Sequence, residues 1–109
     1  MLHDKIFGMD LSRLEICWDS RKNEKLKLER SIGFEDVVMA IEEGRILSVL
    51  KNPKQDKYPN QRILIIEIGN YAYVVPFEIR KDVIWLITVY PSRKYTKIYL
   101  RGEYEEEKD

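Results

Sequence analysis

RILIIEIGNYAYVVPFEIRKDVIWLITVY, running from Arg62 to Tyr90, decides the fold of this chain. Three runs rich in β-branched and aromatic residues, Arg62 to Ile68, Tyr71 to Ile79 and Val83 to Tyr90, are separated by short polar links. Gly69 and Asn70 form a two-residue hairpin signal, and Arg80, Lys81 and Asp82 provide the second reversal. Strands joined in this way are antiparallel neighbours in a meander. Tyr71, Tyr73, Val75, Phe77 and Ile79 share one face of the middle strand, with Pro76 on the other. Proline has no N–H to give to a ladder, so a bulge or a strand edge is expected near Pro76.

Upstream, Ile46 to Leu50 reads as a short strand, followed by a polar, proline-punctuated loop over Lys51 to Asn60. Phe34, Val37, Val38 and Ile41 recur at helical spacing, with Glu35 and Asp36 at the positive end of the dipole and Gly44 placed for a left-handed cap. Asp19 caps a second, charge-rich helix over Ser20 to Arg30, whose only apolar residues are Leu26 and Leu28. Before it, Leu14, Ile16 and Trp18 alternate as in a half-buried strand; Trp18 reads as core or as a ledge at the strand end, and Trp85 as core. Beyond Pro91 the spacing of Tyr95, Ile98 and Tyr99 predicts a short helix ending near Gly102. Two early helices, a later sheet and a closing helix make an α+β domain over residues 1–101, with an acidic, disordered tail at 102–109.

The 109 residues suffice for one domain and not for two. Cys17 is the sole cysteine, which excludes an intrachain disulfide and suits a reducing compartment. His3, Asp4 and Lys5 interrupt the N-terminus before any apolar run, so no signal peptide is read there, and no stretch has the length of a membrane span. A cytoplasmic protein is expected. His3 has no His or Cys partner, and no cofactor is called for.

Charge is zero overall but strongly segregated. From Arg80 to Arg101 there are six basic residues against the single acid Asp82, and from Gly102 onward five acids stand against Lys108. Cations and aromatic rings gather over Tyr90 to Lys97, a pattern suited to single-stranded RNA. An acidic tail beside a basic patch can also fold over it and mimic RNA.

Trp18, Asp19, Lys22 and Asn23, then a basic helix, then Ile32 to Asp36, resemble the opening of the BrnT family of bacterial toxins. In that family a Trp-Asp-Pro-x-Lys-Asn start precedes Lys-His-Gly-Val-Ser-Phe-Glu-Glu. Arg62 matches an arginine opening the first hairpin strand, and Pro91 to Thr96 match a late Ser-Ala-Arg-Arg/Lys-Ala-Thr run. The family's histidine falls at Arg30, its glycine at Ser31, and the residue after the basic pair is Tyr95. The resemblance spans roughly residues 13 to 101. It implies a RelE-like fold, with helices packed on a twisted antiparallel sheet. It also implies a toxin of a type II toxin–antitoxin pair, a metal-independent endoribonuclease held in a heterotetramer by a ribbon-helix-helix antitoxin. The alternative is a non-catalytic RNA- or protein-binding module of the same fold.

RNA cleavage of this kind deprotonates a 2′-OH, neutralises the pentavalent phosphate and protonates the 5′-oxygen. Arginine forks suit the phosphate, so Arg62 and Arg93 are the first choices. Lys94 or Lys97 serves as acid or base, Tyr95 as proton donor or stacking platform, and Glu67 as an outside candidate for base. Lys22, Arg30, Arg80 and Lys97 are the remaining candidate RNA contacts.

Overall fold

The structure is a computed structural model that describes residues 5–6, 9–10 and 14–103. His3 and tail residues 104–109 lie outside the described residues, as does most of the stretch read for a signal peptide. In chain order the elements are β1 (Lys5–Ile6), β2 (Met9–Asp10), β3 (Glu15–Trp18), α1 (Ser20–Arg30), α2 (Phe34–Glu42), β4 (Ile46–Lys51), β5 (Arg62–Ile68), β6 (Tyr71–Arg80), β7 (Val83–Leu86), β8 (Tyr90–Pro91) and α3 (Arg93–Leu100). β1 and β2 pair with each other, and the remaining strands form one sheet in the order β3-β7-β6-β5-β4, with β8 also on β6. This is an α+β architecture.

The meander folds as its turns dictate. Gly69 and Asn70 both take left-handed φ values, 59° and 65°, which a type I′ hairpin requires. The expected strand over Val83 to Tyr90 is interrupted, and Pro76 explains why. Phe77 faces Leu86 while Val74 faces Tyr90, so three steps along β6 are matched by four along β7 and β8. The extra residue is a bulge, and Ile87 N–H donates to the Pro76 carbonyl at 2.9 Å within it. Amide and carbonyl of one strand residue point the same way, so the donor missing from Pro76 falls on the side where the partner strand has lost its register.

One expectation needs correction: the sheet is mixed, not wholly antiparallel. β3 runs parallel to β7, with Glu15 to Trp18 facing Val83 to Leu86. β3 enters α1 directly through the Asp19 cap, and the α1–α2 pair carries the chain across one face to the far edge at β4. The direction of β3 is therefore set by that crossover and not by a turn.

Two apolar layers sandwich the sheet. Leu26, Phe34, Val37, Ala40 and Ile41 from α1 and α2 pack on Leu64, Ile66, Val75, Phe77, Ile84 and Leu86. On the other face, Tyr95, Tyr99 and Leu100 of α3 pack on Ile63, Ile65, Ala72 and Val74. Burial on both faces explains why β5 is a continuous apolar run and not an alternating one. Leu26 is buried, whereas Leu28 is 86% exposed, so α1 holds to the core through one apolar side chain. Trp18 packs on Phe34 with ring centroids 5.6 Å apart. Trp85 departs from expectation: it is half-buried, opposite in alternation to Ile84 and Leu86, with the Arg80 guanidinium 5.2 Å from its ring centroid.

What α1 lacks in apolar area it gains from Asn23, which is 4% exposed. Its Nδ2 donates to both Glu35 carboxylate oxygens at 3.0 Å, and its Oδ1 accepts from the buried Phe34 N–H at 2.7 Å. Asp36 closes the start of α2 by accepting from Gly33 N–H at 2.9 Å. A Cβ at Gly33 would come within 2.8 Å of Asn23 Oδ1 and Lys27 Cε, so glycine is needed here for close approach.

Asn23→Ala strands the Phe34 N–H and is expected to cost about 1–3 kcal/mol, read as a lower urea midpoint at unchanged slope. Gly33→Ala should fall in the same range because the Asn23 carbonyl oxygen cannot yield without losing that bond. Glu35 yields a pH test. The Asn23 hydrogen bonds, then the hydrogen bond from its own backbone amide and, after that, Lys27 hold its carboxyl below the ordinary 4.5. A depressed folded value means stability present above pH 4.5 and lost as pH falls through the folded value, so Glu35→Gln should flatten the acid limb of a stability-versus-pH curve.

Candidate functional site

α3 starts where β8 leaves β6, and its position is fixed by Ala72. Ser92 N–H donates to the Ala72 carbonyl at 2.9 Å, and the Ala72 N–H donates to Thr96 Oγ1 at 2.8 Å. Thr96, 3% exposed, returns its hydroxyl proton to the Ser92 carbonyl at 2.7 Å. Ser92 Oγ caps the helix by accepting from Tyr95 N–H at 3.1 Å. Both main-chain groups of one β6 residue thus hold the first turn of α3 against the sheet.

Arg93 and Lys94 occupy that turn, both exposed and with no acid beside them. Cations at the positive end of a helix dipole cost about 0.3–1 kcal/mol each, a penalty an anion relieves. Arg93, Lys97 and Arg101 follow at steps of four and are all exposed, so α3 turns a cationic stripe outward while Tyr95, Thr96, Tyr99 and Leu100 face the sheet. Arg93, Lys97 and Arg101 make no ion pair with any described residue. Lys94 Nζ lies 5.5 Å from the Tyr95 ring centroid, and Tyr95 stacks on Tyr99 at 5.9 Å.

A cleft of about 300 Å³ lies between the 52–61 loop and the bulge. Lys54, Tyr58 and Gln61 line it from the loop, and Pro76, Thr88 and Tyr90 from the sheet. Tyr90 links cleft and helix. Burial pushes its phenol above the ordinary 10.0, and the neighbouring Tyr95 phenol acts in the same direction.

The expected site residues do not all meet. Arg93, Lys94, Tyr95 and Lys97 come together on α3. Arg62 lies directly opposite Phe77, and opposed residues share a face, so it belongs to the α1/α2 side of the sheet. The sheet separates it from Tyr95. Arg30 donates from Nη1 to the Val89 carbonyl at 2.6 Å and so braces the bulge. Arg80 pairs with Glu78 Oε1 at 2.9 Å besides covering Trp85. Lys22 is half-buried on α1. Glu67 sits at the hairpin end of β5, roughly 17 Å along the strand from Arg62, where it accepts from Asn70 N–H and pairs with Arg45 at 3.7 Å.

Sequence reasoning missed the cleft and Arg101. The four-residue step of Arg93, Lys97 and Arg101 was visible; the return of the 52–61 loop onto the bulge was not. Among the described residues no three His, Cys, Asp or Glu side chains gather as metal ligands do, and no helix is long and apolar enough to cross a membrane. No model of a known protein family, no curated protein and no solved structure matches the chain.

Tyr90 should ionise above the ordinary 10.0 in an ultraviolet titration, and Tyr90→Phe should remove a late component from the curve. With the folded value raised, the stability it contributes is fully present below pH 10.0 and lost as pH climbs through the folded value.

Proposed function

We propose that this chain is an RNA-cleaving toxin of the BrnT-like, RelE-like kind, acting in the cytoplasm and neutralised by a ribbon-helix-helix antitoxin. The observation that carries the reading is the N-terminus of α3, where Arg93 and Lys94 stand exposed against the helix dipole with Tyr95 beside them. A fold that accepts such repulsion at a rigidly held turn is built to receive an anion. The order of Trp18, Asp19, Lys22, Asn23 and Phe34 to Asp36 ahead of the sheet supports the same family.

In this reading Arg93 holds the scissile phosphate through its fork and neutralises the charge that grows on it. The 2′-oxygen gives its proton to water as it bonds to phosphorus, the bond to the 5′-oxygen breaks and Lys94 protonates that leaving oxygen, while Tyr95 orients the substrate as a stacking surface. Lys97 and Arg101 carry the flanking phosphates along the outward stripe. Arg62, across the sheet, has no part in this scheme beyond the α1/α2 face. A second reading is favoured by one observation: Arg30, where the BrnT pattern that the chain resembles has a histidine, is taken up by the Val89 carbonyl. A chain with that group committed to structure suits a binding module that has lost its chemistry.

Inducible expression should arrest growth and fragment cellular RNA, with rescue by a ribbon-helix-helix partner encoded beside the gene. Arg93→Ala with Lys94→Ala should lower RNA cleavage at least about 100-fold, the scale of losing transition-state charge stabilisation, while Arg62→Ala should change it little. Intact RNA and normal growth on expression of the wild-type chain would refute the enzyme and leave the binding module.

A further inference from the structure

We propose that the cleft between the 52–61 loop and the bulge is a subsite for one unpaired nucleobase, which it orients through a fixed amide donor. The inference deepens the RNA reading and rests on it for the identity of the polymer, though not for the chemistry of the cleft. Its rim is ordered from within. Lys54 N–H donates to Asn52 Oδ1 at 2.8 Å, which obliges Asn52 Nδ2 to be the donor to Gln61 Oε1 at 3.0 Å. Gln61 therefore has its oxygen occupied and its Nε2 left to face a ligand. Asn52 is 8% exposed, and its carbonyl also accepts from Gln55 Nε2 at 2.8 Å, so this chain of bonds is inside the loop and not on its surface.

The other walls suit a flat, partly polar guest. Tyr58 and Tyr90 bring aromatic rings to the lining, Pro76 an apolar surface, and Thr88 a hydroxyl that donates or accepts. Among the described residues neither the Thr88 nor the Tyr90 hydroxyl takes part in a hydrogen bond. A splayed base finds there what single-stranded recognition uses: aromatic stacking, apolar contact and an edge donor. The backbone of such a nucleotide has cations at hand in Lys54 on the rim and Lys57, whose Nζ lies 5.4 Å from the Tyr58 ring centroid. Arg93 and Lys94 then take the next phosphates, with Tyr90 and Tyr95 joining the two regions. Gln61 Nε2 matches an acceptor on the base edge, which all four RNA bases carry, so the amide orients the base without choosing among them.

The test is calorimetric titration of the full chain with the four ribonucleoside 5′-monophosphates and with ribose 5-phosphate. At least one nucleotide should bind, and ribose 5-phosphate about tenfold more weakly because it lacks the stacking base. Gln61→Leu should weaken the bound nucleotide about fivefold, the scale of one neutral hydrogen bond. Tyr90→Ala should weaken it about tenfold, with Tyr90→Phe retaining affinity and circular dichroism confirming the fold of each variant. Equal binding of nucleotide and ribose 5-phosphate would overturn the subsite, as would wild-type affinity in both pocket variants. Either outcome removes the subsite even if the chain cuts RNA. Conversely, nucleotide binding that responds to Gln61 and Tyr90 in a chain that leaves RNA intact supports the subsite and removes the toxin reading alone.

Discussion

The missing hydrogen on Pro76 is the constraint around which the sheet is arranged. β6 is the long strand against which β5, β7 and β8 all pair, and one donor is absent from its middle. The partner strand answers by gaining a residue, so Ile87 to Val89 leave the ladder and become available for other tasks. On one face Thr88 enters the wall of a cleft; on the other Val89 fills the core and its carbonyl meets Arg30. After the bulge the chain resumes its pairing at Tyr90 and delivers α3 at a defined place. Restoring a donor at position 76 would remove the reason for all three.

The two faces of the sheet have separate duties. α1 and α2 supply most of the core, held at their junction by Asn23 and by a glycine chosen for space. α3 buries little beyond two tyrosines and a leucine and presents cations outward. Its hold on the sheet is correspondingly polar, through Thr96, Ser92 and Ala72. Hydrogen bonds fix orientation more sharply than apolar contact does, which suits a helix whose first turn must aim charge.

Much of this was legible in the chain itself. The meander, the Gly69–Asn70 hairpin, α2 with its Gly44 terminus and the short α3 all announce themselves through turn residues and period, because those signals are local. Pro76 even predicted its own irregularity. What escaped was long-range. β3 alternates like any half-buried strand, and nothing in Glu15 to Trp18 says that its partner runs parallel. Likewise Arg62 and Arg93 read alike as phosphate forks, and only the register against Phe77 shows that they lie on different sides. The 52–61 loop looked like solvent-facing turn sequence because its organising residue, Asn52, is polar and its burial depends on what folds back over it.

The parallel pairing of β3 with β7 sets a limit on the order in which the molecule can assemble. Most of the chain separates the two strands, so closing that contact carries the largest loop entropy among the strand pairings. As the polypeptide leaves the ribosome, α1 and α2 can form and the β5–β6 hairpin can close, yet β3 waits at an unpaired edge until Leu86 has emerged. A strand made early is thus among the last to be satisfied, and the apolar surface beneath α1 stays wet for that interval.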